Sequence, residues 1–213
     1  GHKLNLLDTP GYADFVGEVI SALHAVEAAV VVVDAQAGVE VGTEIAWQHL
    51  QELGIPSIVV VNKLNREHAN WTKVLEDLSA AFHARFVPLQ LPIGQATDFR
   101  GVYGLVDGKA SLGANGAEGA VPADVTAASP KRREAMVEAA AEADEELMMK
   151  FLDDVSLSDE EVRRGLVAGA KSGSFVPVFF TAASEAFGVH ALLDALTTLA
   201  PAPSEAPPRR AVN

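Results

Sequence analysis

The sequence predicts an α/β fold in which a doubly wound parallel sheet carries an inserted α+β subdomain. Three observations carry that reading. Ala29–Val33 and Ser57–Val61 are short, almost wholly apolar and β-branched, the pattern of strands buried on both faces. A stretch of helical periodicity separates them, which makes a βαβ unit and hence parallel strands joined by a right-handed crossover. A third such run, Val176–Phe180, comes more than a hundred residues later and is followed by a helix over Val189–Leu199, and the stretch before it changes character.

In chain order, His2–Leu7 mixes leucine with polar residues and runs straight into Asp-Thr-Pro-Gly, so it reads as a strand ending in a loop. Phe15, Val19, Leu23 and Val26 fall at helical spacing and predict an amphipathic helix from about Tyr12. The strand Ala29–Val33 ends at Asp34. Gly38 and Gly42 punctuate a loop, and Thr43 reads as the N-cap of a helix carrying Ile45, Leu50 and Leu53. Gly54 with Pro56 closes that helix before Ser57–Val61. His68–Phe82 is helical, Val87–Ile93 is a strand interrupted by prolines, and Phe99–Val106 is its hairpin partner. Ser111–Ser129, rich in Gly, Ala and Pro without periodicity, reads as a long loop, and Lys131–Leu152 as one strong helix. Ser158 with Glu161 forms a capping box that opens a helix ending near Gly173. The expected division is a main domain over residues 1–86 and 175–200, an insertion over 87–174, and a proline-rich linker over 201–213.

Composition narrows the function classes. The chain has 213 residues, 49% hydrophobic and 21% charged, which suits one large globular domain or a domain with a sizeable insertion and argues against wholesale disorder. No apolar run approaches the roughly 20 residues that span a bilayer, so no membrane partner is expected. Cysteine is absent, which excludes disulfides and thiolate metal sites and fits a cytoplasmic location. A net charge of -13 makes the chain a poor stand-alone binder of nucleic acid, and no sequence-specific nucleic-acid contact is expected.

Three loops leave the carboxyl ends of the predicted strands, where doubly wound sheets bind ligands. Asp8-Thr9-Pro10-Gly11 can offer a carboxylate to Mg²⁺ through water and a backbone N–H to a phosphate; the plain alternative is an ordinary strand-to-helix turn. Asn62-Lys63-Leu64-Asn65 can bracket a flat purine with side-chain amides and a lysine stem, or can be a polar loop. Thr181-Ala182-Ala183 adds backbone N–H groups at the same edge and carries little information alone. Three such loops in this order favour a nucleotide site over coincidence. The six histidines show no metal-ligand spacing, Trp47 and Trp71 read as packing residues, and the acidic helix around Glu142–Glu146 as a solvated face.

These loops resemble the third, fourth and fifth guanine-nucleotide motifs of elongation factor G. The likeness extends through Asp34–Thr43, Pro88–Gly94, Phe99–Val102 and Glu138–Leu147, and so covers essentially the whole chain. The resemblance implies a P-loop GTPase-type sheet in a ribosome-associated, Mg²⁺-dependent enzyme that hydrolyses GTP to GDP and phosphate. It implies that Asp8 lies near Mg²⁺ through water, with Thr9, Pro10 and Gly11 on the phosphate side and Gly11 near the γ-phosphate. Asn62 and Lys63 then support the base loop, Asn65 faces the guanine edge, and Ala182 and Ala183 present N–H groups, that of Ala183 toward O6. In the family the insertion is where ribosomal stalk proteins dock, so a nucleotide-free interaction module is the competing reading.

Three departures qualify the resemblance. No Gly-x-x-x-x-Gly-Lys-Ser/Thr segment is present; the sheet is therefore expected to be partial, lacking the N-terminal strand that leads into that loop. That strand would lie between Leu4–Leu7 and Ala29–Val33, so its absence is expected to open a gap with unpaired edges. The chain alone is then expected to bind nucleotide poorly, and to be monomeric or to associate through those edges. Tyr12 stands where the family has the histidine that positions the attacking water, and a phenol does not become cationic at neutral pH, so the complete parent is expected to hydrolyse GTP slowly or to be stimulated differently. Asn65 stands where the family has the base-reading aspartate; an amide offers one acceptor and one donor group, which by itself suits xanthine better than guanine.

Overall fold

A computed structural model describes residues 1–205. Two four-stranded sheets organise it. The first is parallel, in the order β1 (Ala29–Asp34), β2 (Ser57–Asn62), β8 (Val176–Phe180), β3 (Phe86–Pro88). The second is antiparallel and sequential, β4 (Gln90–Ile93), β5 (Gly101–Gly104), β6 (Ala110–Leu112), β7 (Ala117–Gly119). The inserted α+β subdomain is the chain running from β3 to β8, two neighbours in the parallel sheet.

Helices lie on both faces of the parallel sheet, as a doubly wound fold requires, leaving one face of its first strand open. On one face α1 (Val16–Leu23), α2 (Val41–Leu53) and α3 (Trp71–Ala81) pack on Val31, Val33, Val59, Val61, Val178 and Phe180. Trp47 stacks on Phe82 at 4.8 Å and Trp71 meets Phe180 edge-on at 5.2 Å, so both tryptophans are packing residues. On the other face α4 (Ala123–Glu142), α6 (Asp159–Ser172) and α7 (Val189–Leu199) meet Ile58, Val60 and Phe179. Two of those three helices come from the insertion, so the insertion completes the second layer of the main sheet.

Several expectations need correction. His2–Leu7 forms no strand; residues 1–11 are irregular and Leu4, Leu6 and Leu7 are exposed. A strand exists only with a ladder partner, and among the described residues none pairs with this segment. The expected gap in the sheet is absent for the same reason: β1 is simply the edge strand. Thr43 is the third residue of α2; Glu40 is its N-cap, with its backbone N–H donating to Thr43 Oγ1 at 3.4 Å. Val87–Ile93 divides between β3 and β4, which belong to different sheets. Leu89 sits between them, its N–H donating to Val178 O at 3.2 Å and its carbonyl accepting from Leu105 N–H at 3.0 Å.

Ser111–Ser129 is mostly regular structure, with only residues 120–122 irregular. It holds the β6–β7 hairpin, whose turn uses positive φ at Gly113 and Gly116, and the first turns of α4. Pro130 inside α4 deprives the Thr126 carbonyl of its usual N–H, and the Ser129 hydroxyl donates to it instead at 3.1 Å. The expected single helix Lys131–Leu152 is broken at Ala143–Asp144, where Asp144 caps α5 (Glu145–Leu152) by accepting from the N–H groups of Glu146 and Leu147. The Ser158–Glu161 capping box and the Gly173 stop of α6 are both present. Of the expected linker only residues 201–205 lie within the described part; the rest lies outside it. Among the described residues no helix is long and apolar enough to cross a membrane.

Candidate functional site

The carboxyl ends of β1, β2 and β8 finish in register. Asp34 pairs with Asn62 and Val61 with Phe180, so Asp34, Asn62 and Thr181 emerge along one edge of the sheet. Asn62 is the junction. Its Oδ1 accepts from Thr181 Oγ1 and from the Ala183 N–H, each at 3.0 Å. The loop after β2 is also tied to β8 through Leu64 N–H, which donates to Thr181 O at 3.2 Å. Ala182 is fully buried under the edge, while Ala183 and Ser184 are exposed above it. The Ala183 N–H, implied for the base O6, is thus engaged by Asn62 here.

Lys63 turns the chain in the left-handed region, φ 64°, and its Nζ donates to Asp34 Oδ2 at 2.7 Å. Burial, the largest single influence on the Asp34 carboxyl, pushes its pKa up. Hydrogen bonds from Lys63 and the Gln36 and Ala37 N–H groups, with the Lys63 charge, outweigh that and hold it below the ordinary carboxylate value. Asp34 is therefore a fixed anion that pins the Lys63 stem along the sheet edge. Sequence reasoning gave Asp34 no role at the site; its signal was its place at the end of an apolar strand, in step with Asn62.

Asn65 lies beside the turn that follows β8. Its Nδ2 donates to Glu185 Oε1 at 2.9 Å and reaches Ser184 Oγ at 3.5 Å, while its Oδ1 is buried without a hydrogen-bond partner. Glu185 is the second residue that sequence reasoning missed. It lies 120 positions from Asn65, and only the parallel pairing of β2 with β8 brings the two together.

Asp8, Thr9, Pro10, Gly11 and Tyr12 behave differently. They precede and enter a 3₁₀ turn over Ala13–Phe15, and Tyr12 is 78% exposed. The Gly11 carbonyl lies against Gly42 in the first turn of α2, so close that a Cβ on Gly42 would stand 2.5 Å from it. Among the described residues the Asp8 carboxylate makes no hydrogen bond, and no group of three His, Cys, Asp or Glu side chains converges as a metal site. The polar side chains brought together are thus those of the β1, β2 and β8 ends; Asp8 and the Gly11 backbone lie apart from them on the segment before α1.

Residues 1–202 match the family model of the elongation factor Tu GTP binding domain. A crystal structure of a protein from Thermus thermophilus superposes with a TM-score of 0.85 at 34% identity, over 93% of this chain and 30% of that one. The chain thus spans less than a third of that protein's length. With the doubly wound sheet, the Asn62 junction and the insertion in place, the chain belongs to the elongation factor Tu GTP-binding domain family.

Proposed function

We propose that this chain forms the base-holding side of a GTP/GDP site in a longer, ribosome-associated translational GTPase that hydrolyses GTP to GDP and phosphate. The observation that carries the reading is Asn62, whose single carbonyl oxygen clamps the two loops that a purine would enter between. Lys63, pinned by Asp34, supplies an aliphatic stem for one face of the base. Asn65 lies at the base edge, and Ala182 and Ala183 form the floor. Asp8, Thr9, Pro10 and Gly11 are the phosphate-side residues, and Asp8 would hold Mg²⁺ through water. When bound, that ion supplies charge neutralisation to the phosphates. Tyr12 occupies the position that faces the attacking water, where its hydroxyl can hydrogen-bond but cannot serve as a cationic donor. The ribosomal stalk is the partner we assign to the inserted subdomain, and the cytoplasm its location.

Titration of GDP with Mg²⁺ into the ¹⁵N-labelled chain tests the reading. The expected outcome is saturable binding weaker than about micromolar, because the phosphate-side contacts are few, with shifts concentrated at Asn62, Lys63, Asn65 and Ala183. Absence of saturation at millimolar nucleotide, or shifts confined to other surfaces, would remove the proposal.

A further inference from the structure

We infer that Glu185 is the base-reading carboxylate of this site, that Asn65 positions it, and that the pair selects guanine over xanthine. The inference rests on the nucleotide-binding reading of the same edge.

The Asn65 amide has one workable orientation. Its Oδ1 points into the protein, buried and without a partner, and its Nδ2 points outward to Glu185 Oε1 at 2.9 Å. Turning the amide over would set its oxygen against the Glu185 carboxylate and bury an NH₂ group with nothing to accept from it, which is worse on both counts. Asn65 therefore presents donors outward and keeps its acceptor inside. In that pose it cannot accept the N1–H and exocyclic N–H of guanine.

Glu185 can. It is exposed on the short 3₁₀ turn Ala183–Glu185, two residues beyond the Ala183 N–H that Asn62 holds. Only its Oε1 is engaged among the described residues; Oε2 carries no hydrogen bond. An ionised carboxylate has about four lone-pair sites, so it can keep the Asn65 bond and still accept from both donors of a guanine edge. Xanthine puts a carbonyl oxygen where guanine has its amine, and that oxygen would face the carboxylate. Hypoxanthine lacks the amine and would forgo one bond. An isolated Asn65 amide would favour xanthine; the carboxylate that occupies its NH₂ reverses the preference. The distance between the two loops is fixed at Asn62 and by the Leu64 N–H bond to Thr181 O, so the Glu185 position belongs to the fold.

The test is a set of ¹⁵N NMR titrations, able to measure weak binding, of GDP, IDP and XDP into the chain, Glu185→Gln, and Glu185→Gln with Asn65→Asp. The chain should prefer GDP to XDP by about tenfold or more, Glu185→Gln should shrink that ratio to about threefold or less, and adding Asn65→Asp should restore it. A merely structural role for Glu185 would weaken all three nucleotides together and leave the ratio where it was. An unchanged ratio in Glu185→Gln, or a preference for XDP in the unaltered chain, overturns this inference alone. Failure of every nucleotide to bind the unaltered chain overturns it together with the function proposed above.

Discussion

Asn62 uses one oxygen to accept two hydrogen bonds, and this dictates how its replacements should differ. Asn62→Ala strands the buried Thr181 hydroxyl and the Ala183 N–H, and should lower stability by about 1–3 kcal/mol in urea unfolding. Asn62→Asp retains an acceptor at the same place, so at neutral pH it should keep most of that stability. Equal losses for the two variants would mean that something other than the accepted bonds holds the loops. The polar residues of this edge were legible in the sequence, because each strand announces its carboxyl end by the change from apolar to polar. Their mutual contacts were not. Asp34 with Lys63, and Asn65 with Glu185, meet across chain separations of 29 and 120 residues, which only the strand register sets.

The junction of α5 and α6 is held by charge. Lys150 Nζ donates to Glu161 Oε1 at 2.5 Å and lies 3.2 Å from Glu146, while Glu161 also accepts from Ser158 N–H at 2.9 Å. The Lys150 hydrogen bond, followed by those from Ser158, holds the Glu161 pKa down at about 2 against an ordinary value of 4.5. A carboxyl whose folded pKa is depressed contributes stability that is fully present above 4.5 and lost as pH falls toward 2. The gap in Tm between the unaltered chain and Glu161→Gln should therefore be widest near neutral pH and close between 4.5 and 2. A gap of constant width across that window would detach the capping box from the titration. This capping box was readable from Ser158 and Glu161 alone, since a local motif carries its own partners. The β6–β7 hairpin was not, because Ala110–Gly119 is built of small residues whose pairing leaves no hydrophobic alternation. His2–Leu7 erred the other way, a strand-like composition without a neighbour to make it a strand.

At the scale of the molecule, β1 is the exposed flank. Among the described residues it pairs only with β2, and Val30 and Val32, on the face away from α1 and α2, are 38% and 60% exposed. A strand with one unpaired edge and an uncovered apolar face is a template for association. Sedimentation velocity should show concentration-dependent self-association of the chain, and Val32→Lys should reduce it without loss of helical content. Undiminished association of Val32→Lys would move the contact to another surface. At the opposite flank the arrangement is closed. Phe86–Ile93 is one uninterrupted run of chain that is the last strand of the large sheet and the first of the small one, and Leu89 bonds to both sides at once. The two sheets thus share a beam with no slack at the joint. A torque applied to the small sheet would bear on β8 at Val178, three residues before the threonine that Asn62 clamps, so the insertion has a lever arm on the base loop.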